Sequence, residues 1–431
     1  MGTYRLISSW LMIAVLGAAL GNFYGEAMRE KVRHPMSTDF YKLYLSGDAL
    51  IRGQGMYWSV PARMSPGDPC YHGGRSERVI SVSRSDDGSA LYRPACLHPN
   101  LNPPLFAVIA LPLAWLDYHI AYWVWSLCAL FCAVVSMWLL VRAFTPRTRD
   151  VPLNAAIAVV SLFAYFPTFI SVTYGQVTML ILLLTMLGWN ALREERDVRG
   201  GVWLGLAASL KPFMGLFLLA LLFAGNRRAS AGFVLAGLSS AWVGWLVAGP
   251  SAYGDYLRIA ADVTWLAASW NASFGGYFSR LFGGSENVPW IDLPMVGRVL
   301  VVMCSLAVLS LLVWLLKRVK PLNRNAQIDV IFAMTLPAML LLSPLGWLYY
   351  FPLLGLSVLM VWRMSANLLD GRLYKAGLIA VVMPTVAPQY LQQAHDMNGF
   401  YDWFWVGGVY CYILVALLVM VMRLVVRQGV D

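Results

Sequence analysis

The sequence is dominated by apolar runs of roughly the length that a helix needs to cross a bilayer. Lipid cannot hydrogen-bond an open backbone, so such runs fold as helices that satisfy their own N–H and C=O groups. The runs are Leu6–Phe23, His119–Val141, Pro152–Ser171, Gln176–Leu192, Ala229–Val247, Leu293–Leu316, Ala326–Leu342, Trp347–Val361, Leu373–Pro388 and Phe404–Met422. Leu6–Phe23 also fits a cleaved signal peptide, but the many runs that follow favour a retained span. We therefore predict an all-α, polytopic integral membrane protein, treated as one transmembrane domain over residues 1–431.

Composition supports this class. Only 13% of the residues are charged, about half the share that is typical of soluble domains, and 59% are apolar. These values exclude a soluble enzyme, a disordered chain and a nucleic-acid reader, and the net charge of +10 suits loops that face a membrane surface. The sequence has no Gly-rich nucleotide loop, no Cys-x-x-Cys pair and no metal-type spacing among its histidines. We predict no cofactor, no metal site and no nucleic-acid partner.

Lys and Arg divide unevenly between alternate loops. If the N-terminus is cytoplasmic, the inner loops hold the basic clusters at 142–149, 193–199, 317–324 and 363–375. The short outer turns around Tyr174, around Leu345 and at 389–403 carry no Lys or Arg. Because cytoplasmic loops are the ones enriched in these residues, both termini are predicted to be cytoplasmic, in a multi-pass protein of the cell membrane (the inner membrane, in a bacterium).

Two further apolar runs, Pro104–Leu116 and Val202–Ala224, complicate the count of crossings. Val202–Ala224 lies between basic clusters at 193–199 and 227–228, and both clusters fit the cytoplasmic side. A hairpin of two half-length helices, broken near Lys211-Pro212, resolves the conflict because proline removes a backbone donor and disfavours helix just before it. The prediction is ten crossings, or twelve if the hairpin counts as two.

Two large outer regions, 25–103 and 250–294, remain, and we expect function where they meet the helix ends. Apolar residues between Phe40 and Leu50 recur at helical spacing, which predicts a short amphipathic helix at the membrane surface. Asp39 then lies at the N-terminal end of this helix, where the helix dipole favours an ionised carboxylate. The residues alone favour a helix cap over a catalytic base for Asp39.

The cysteines also divide by location. Cys70 and Cys96 are the only ones outside predicted helices, and both lie in the first outer region. The outer face is oxidising in bacteria and in the secretory pathway, so we predict that these two form a disulfide. The others occupy apolar runs and are interpreted as buried filler: Cys128, Cys132, Cys304 and Cys411.

Several polar residues are candidates for binding. Arg258 and Arg280 are the only cations between Pro250 and Pro294, and a guanidinium can hold a phosphate through two hydrogen bonds. Lipid headgroups, or ion pairs with Asp255 or Asp262, are the alternative.

Two more candidates lie in or next to the apolar runs. Lys211 lies within an apolar run, where an ammonium is a functional candidate unless it reaches the inner headgroups. Gln176 fits either a polar contact or a helix end.

An ordered set of short motifs resembles a known family. The motifs are Asp39-Phe40 with Gly53 to Tyr57, Asn102-Pro103-Pro104-Leu105-Phe106 with Leu111-Pro112-Leu113, Tyr174-Gly175-Gln176-Val177, Leu206 to Pro212, Asn271-Ala272-Ser273 with Arg280, and Ser343-Pro344-Leu345-Gly346-Trp347. Together they resemble the polyprenol-phosphate-sugar-dependent glycosyltransferases of the GT-C superfamily, in particular the family of the mycobacterial phosphatidylinositol mannoside mannosyltransferase. The last motif departs from the family pattern, because Leu348, Tyr349 and Tyr350 follow where a polar or acidic residue and histidines are usual.

The resemblance implies a GT-C-type bundle of 10–12 transmembrane helices with extracytoplasmic loop helices. It implies transfer of a hexose such as mannose, with inversion, from a polyprenyl-phosphate donor to a lipid or glycan acceptor at the extracytoplasmic face. It makes Asp39 the general base. The donor or acceptor contacts that we expect are Lys42, Gln176, Lys211, Asn271, Ser273, Arg280, Trp347, Tyr349 and Tyr350.

Two other functions compete with this one. A transporter or flippase of lipid-linked sugars usually has its site near the bilayer midplane on broken helices, and only Lys211-Pro212 hints at that arrangement. An envelope polysaccharide polymerase would instead use a lipid-pyrophosphate oligosaccharide. A large outer region with a carboxylate at a helix end fits a reaction catalysed at the membrane surface better than transport across the membrane.

Overall fold

The computed structural model describes residues 2–57, 82–84, 90–92, 100–261, 263, 265–285, 289–319, 322–366, 368, 370–385 and 407–428. Its helices are α1 Gly2–Arg33, α2 Asp39–Ile51, α3 Ala107–Ala114, α4 Tyr118–Phe144, α5 Val151–Phe163, α6 Phe166–Thr173, α7 Thr178–Arg193, α8 Asp197–Leu210, α9 Leu216–Phe223, α10 Arg227–Ala248, α11 Ala252–Ala261, α12 Phe274–Phe282, α13 Pro294–Arg318, α14 Arg324–Leu342, α15 Gly355–Met364, α16 Gly371–Val382 and α17 Val409–Gln428. Two three-residue strands, β1 Val82–Arg84 and β2 Ala90–Tyr92, pair antiparallel. Cys70, Cys96 and the turn at 389–403 lie outside these residues, so the disulfide stays a prediction.

Among the residues that the structure describes, six helices are long and apolar enough to cross a membrane, which confirms the all-α, polytopic class. They are Ile7–Arg33, Tyr118–Phe144, Arg227–Ala248, Pro294–Arg318, Arg324–Leu342 and Val409–Arg427. The predicted span Pro152–Ser171 is not straight, because α5 and α6 meet at a bend of 75°. Pro167 in the first turn of α6 explains the bend, since it cannot continue the hydrogen bonding of α5. The pair counts as a seventh span if it is one broken crossing.

The predicted hairpin at Val202–Ala224 is confirmed. Helix α8 ends at Leu210, Lys211 is extended with φ −139° and ψ 109°, and a 3₁₀ turn over Pro212–Gly215 leads into α9. The two ends of the segment meet, because the Asn226 amide after α9 donates a 2.8 Å hydrogen bond to Asp197 at the start of α8. Gly201 lets α8 approach α10 closely, since a Cβ there would lie 1.9 Å from the carbonyl oxygen of Ala229.

Ion pairs join several helix ends at one end of the bundle. Arg193 at the end of α7 pairs with Asp329 of α14, which also accepts a 2.8 Å hydrogen bond from the Trp189 indole. Arg324 at the start of α14 pairs with Asp197 at the start of α8. Segments that the sequence assigned to the cytoplasmic side therefore gather at one end, which we call the basic end. The leaflet that it faces stays a prediction.

Helix α14 forms the centre of the bundle. Every residue from Ile328 to Leu341 is buried, and the helix packs against α7, α9, α12, α13, α15 and α17. A helix that is apolar on all sides belongs inside a bundle rather than at its lipid-facing surface. This position makes the C-terminal end of α14 part of whatever site forms at the end opposite the basic end.

Candidate active site

A cavity of about 1510 Å³ lies at the end of the bundle opposite the basic end. It is lined by Gln176 just before α7, by Lys211 just after α8 and by Leu342 at the end of α14. The opposite ends of these three helices carry the ion pairs of the basic end. Both predicted outer regions contribute to its walls, the first through Asp39 and Lys42 and the second through Trp265 and Trp270. The cavity thus lies where these regions meet the helix ends.

Asp39 is the first residue of α2, but it does not cap the helix. Thr38 is the cap, because its hydroxyl accepts a 3.1 Å hydrogen bond from the backbone N–H of Tyr41. The Asp39 carboxylate instead lines the cavity, where Oδ1 accepts a 2.6 Å hydrogen bond from Lys42 Nζ and Oδ2 accepts one from Gln176 Nε2. The interpretation of Asp39 as a cap is therefore wrong.

A tight turn at Gly175 brings Gln176 to Asp39. The backbone N–H groups of Asp39 and Phe40 both donate to the carbonyl oxygen of Tyr174, at 3.0 and 3.1 Å. Gly175 has φ +67°, and a Cβ there would lie 2.4 Å from Cβ of Phe40. Only glycine meets both demands without strain. The Tyr174-Gly175-Gln176 motif thus joins α2 to the start of α7 and orients the carboxylate.

The surroundings of Asp39 are positively charged. Burial alone would raise the pKa of its carboxyl, but the charge and hydrogen bond of Lys42, the Gln176 amide and the charge of Lys211 outweigh burial and lower the pKa. The side chains of Asp39 and Lys42 are 31% and 20% exposed, so both can be reached from the cavity. Asp39 is thus a carboxylate at neutral pH, beside more positive charge than it neutralises.

Lys211 lies at the cavity and not at the basic end. It occupies the break between α8 and the 3₁₀ turn, with Nζ 5.9 Å from the centre of the Tyr350 ring. The alternative, that Lys211 reaches headgroups at the basic end, is wrong, because α8 places it at the opposite end of the hairpin. Within the described part of the chain, no carboxylate lies within ion-pair distance of its ammonium.

Aromatic residues form one wall of the cavity. Trp347, Tyr349 and Tyr350, three of the predicted donor or acceptor contacts, line it. The rings of Trp347 and Tyr349 stack with centres 6.0 Å apart, and those of Tyr349 and Tyr350 meet edge to face at 4.8 Å. The wall offers flat apolar faces and phenol hydroxyls rather than charge.

Asn271 and Ser273 lie behind this wall, outside the cavity lining. Both are fully buried. The Asn271 amide donates to the carbonyl oxygens of Leu266 and Pro344 at 2.9 and 2.8 Å, and its oxygen accepts from the N–H groups of Ser273 and Gly346. Ser273 caps α12 through a 3.0 Å hydrogen bond from Gly276. The geometry gives these side chains a positioning role in place of the expected substrate contact.

Arg280 is also absent from the cavity lining. It is buried, and its guanidinium donates to the carbonyl oxygens of Ala268 and Asn271 at 2.8 and 3.0 Å. Burial lowers the pKa of Arg280 to about 10, which still leaves it charged at neutral pH. It therefore supports the loop that carries Trp270 rather than meeting a phosphate directly. Arg258, the other cation of this region, pairs with Asp255 as the alternative interpretation had it.

Sequence reasoning missed part of the lining. Tyr118 lies next to the start of α2, where its hydroxyl is 3.2 Å from that of Thr38. Asn100 and Asn102 line the cavity as well, and the Asn102 amide donates to Asn100 at 2.8 Å. Asn102 belongs to one of the recognised motifs, so the motif was the available signal. Among the residues that the structure describes, no three His, Cys, Asp or Glu side chains are placed to hold a metal ion.

Comparison with known protein families indicates which class of enzyme this chain belongs to. The family model described as glycosyltransferase family 87 matches residues 100–344, which is more than half of the chain. No curated protein and no solved structure matches. The matched segment contains Gln176 and Lys211, begins after Asp39 and Lys42, and ends just before Trp347. The chain belongs to glycosyltransferase family 87.

Proposed function

We propose that this membrane glycosyltransferase moves a hexose, such as mannose, from a polyprenyl-phosphate donor to a hydroxyl group of a lipid or glycan acceptor. The observation that carries the proposal is the ionised Asp39 carboxylate in the cavity with the Lys42 and Lys211 ammoniums beside it. A base for the acceptor and cations for the donor phosphate are the two requirements of such a transfer.

Asp39 acts as the general base. The acceptor hydroxyl gives its proton to the carboxylate as its oxygen attacks the anomeric carbon from the face opposite the phosphate. The bond between that carbon and the phosphate oxygen breaks, polyprenyl phosphate leaves with the electron pair, and the anomeric configuration inverts. Each carboxylate oxygen can accept more than one hydrogen bond, so Lys42 and Gln176 leave room for the acceptor.

The two lysines hold the donor phosphate. The phosphate gains negative charge as the sugar leaves, and fixed ammonium groups stabilise that charge in the transition state. Lys42 and Lys211 together exceed the single charge of Asp39, so the cavity retains positive charge for an anion. Tyr349 and Tyr350, at the positions where the resembling family usually has histidines, would add hydrogen bonds without adding charge.

Size and position support a lipid-linked donor. A cavity of about 1510 Å³ exceeds the roughly 300–1,000 Å³ of a site for one small molecule, so it has room for a donor and an acceptor together. Trp347 and Tyr349 offer ring faces on which a sugar can stack. The short loops at this end, around Tyr174 and Leu345, lack Lys and Arg, which supports the extracytoplasmic face.

The protonation of Asp39 should set the acid side of the pH–rate profile. The lowered pKa keeps the base ionised to below its ordinary value of 3.8, so wild-type activity should fall only below that pH. The Gln176→Leu variant removes a hydrogen bond that favours the carboxylate, so the pKa of Asp39 should rise and the acid limb should move to higher pH. The measurement is kcat against pH for both proteins. An acid limb at the same pH in both would show that Gln176 does not act on Asp39.

Purified donors test the proposed function. The protein in detergent micelles, supplied with polyprenyl-phosphate mannose and a membrane lipid extract as acceptor, should form labelled glycolipid. A transporter would need two closed compartments, and a polymerase would use a lipid-pyrophosphate oligosaccharide instead. Labelled product only with the pyrophosphate donor would overturn the proposal.

A further inference from the structure

A second cavity of about 580 Å³ runs between α9 and α13. Leucine and aromatic side chains from both helices dominate its lining, with Leu216, Leu219 and Phe223 on one side and Leu306 and Trp314 on the other. Several of these side chains are exposed at the surface of the bundle, including Leu219 and Leu306. The cavity is thus an apolar groove that opens toward the membrane, and we call it the α9–α13 groove.

The α9–α13 groove adjoins the active-site cavity. Leu216, the first residue of α9, lines both. On α14, Met339 lines the active-site cavity and Thr335 lines the groove. These two residues are four positions apart and so share one face of the helix. The two spaces therefore share Leu216 and lie next to each other along one turn of α14.

The groove also starts beside a proposed phosphate ligand. Lys211 is followed directly by the 3₁₀ turn Pro212–Gly215 and then by α9, which borders the groove for about 12 Å. A chain attached to a phosphate at Lys211 therefore has an apolar path past Leu216 and along α9. The path leads toward the basic end, where Lys317 lines the far part of the groove.

We propose that the α9–α13 groove binds the isoprenoid chain of the donor beyond its first units. This inference rests on the proposed function and adds where the lipid part of that substrate lies. Continuity with the active-site cavity favours the donor chain over an ordinary phospholipid, whose acyl chains need no path to the phosphate site. In a bilayer or micelle the chain is already in apolar surroundings, so the groove binds isoprene units through van der Waals packing against its leucine and aromatic side chains.

Donor chain length combined with a groove variant tests the proposal. Leu219→Trp adds bulk to the groove at a side chain that is 44% exposed, so the fold should tolerate it. Leu222→Trp is the matched control, because Leu222 lies on the same helix, is 51% exposed and does not line the groove. The KM values are measured for mannose linked to long-chain polyprenyl phosphate and to geranyl phosphate.

We expect Leu219→Trp to raise KM for the long-chain donor about tenfold, because the added bulk takes the space into which isoprene units pack. KM for the geranyl donor and kcat for both donors should not change, and Leu222→Trp should behave as wild type. Equal changes for both donors, or no change for either, would overturn the groove assignment while leaving the proposed function intact. If wild type transferred sugar from neither donor, the proposed function itself would fail, and the groove assignment with it.

Discussion

Replacing Asp39 by Asn should lower kcat for sugar transfer by about 10²–10⁴-fold, the usual contribution of a positioned general base. Asparagine has nearly the same shape and keeps an oxygen that can accept from Gln176, so α2 should stay in place. It cannot take a proton from the acceptor hydroxyl at neutral pH. The Thr38 cap and the backbone hydrogen bonds to Tyr174 do not involve the carboxylate, so the fold does not depend on it. The measurement is kcat at saturating donor, with the melting temperature in detergent as the check on folding.

Asp48→Asn is the matched control. Asp48 lies on the same helix, pairs with Arg52 at 3.0 Å and does not line the cavity. Its replacement removes a carboxylate and an exposed ion pair, which contributes little to stability. Turnover should stay at the wild-type level. Wild-type turnover by Asp39→Asn itself, at neutral pH, would rule out Asp39 as the base.

The Asp39 prediction also tests whether a residue outside the family match belongs to the catalytic centre. The match to glycosyltransferase family 87 begins at residue 100, whereas Asp39 and Lys42 precede it. Only the fold connects the two parts, through the hydrogen bond of Gln176 to Asp39 and the charge of Lys211. If Asp39 is the base, the catalytic centre combines the first outer region with the segment that matches the glycosyltransferase family.

Features of local origin could be predicted from the sequence. Apolar length identified the six long helices, but two of the ten predicted spans, Gln176–Leu192 and Trp347–Val361, correspond to apolar helices of only 10–17 residues. The basic clusters with Lys211-Pro212 identified the hairpin, because a proline interrupts helical hydrogen bonding. The helix that begins at Asp39 follows from its apolar spacing in the same way. Pro167 bends the α5–α6 segment for the same reason. The sequence did not reveal this bend, because Pro167 lies inside a continuous apolar run that was interpreted as one straight span.

Features that depend on distant contacts could not be predicted. Gln176 and Asp39 are 137 positions apart, and no spacing rule relates them. Arg280 was taken for a phosphate ligand because a cation in an outer loop has no visible partner in the sequence. Its partners are backbone carbonyl oxygens, which every residue has and which only the fold selects.

The role of Asn271 also depends on distant contacts, and replacing this residue is predicted to have a large effect on stability. Asn271→Ala should lower the free energy of unfolding by about 3 kcal/mol or more, because it leaves several buried backbone groups without a partner. Those groups are the carbonyl oxygen of Leu266 and the N–H groups of Ser273 and Gly346. The Pro344 carbonyl oxygen loses one of its two partners and keeps the 3.3 Å hydrogen bond from the Ser273 hydroxyl. The hydrogen bonds of Asn271 hold the segment with Trp270 against the segment with Trp347. The measurement is the apparent melting temperature in detergent.

Asn190→Ala is the matched control for this prediction, because the Asn190 amide donates one exposed hydrogen bond, to Glu194 just after the end of α7. It should melt close to wild type, whereas Asn271→Ala should melt several degrees lower. A wild-type melting temperature for Asn271→Ala, together with a raised donor KM, would mean that this side chain binds substrate as first expected. A lowered melting temperature would instead show that the Asn271 side chain holds the wall of the cavity in place. In that case the sugar would meet Trp347 and Tyr349, while Asn271 acts only through their placement.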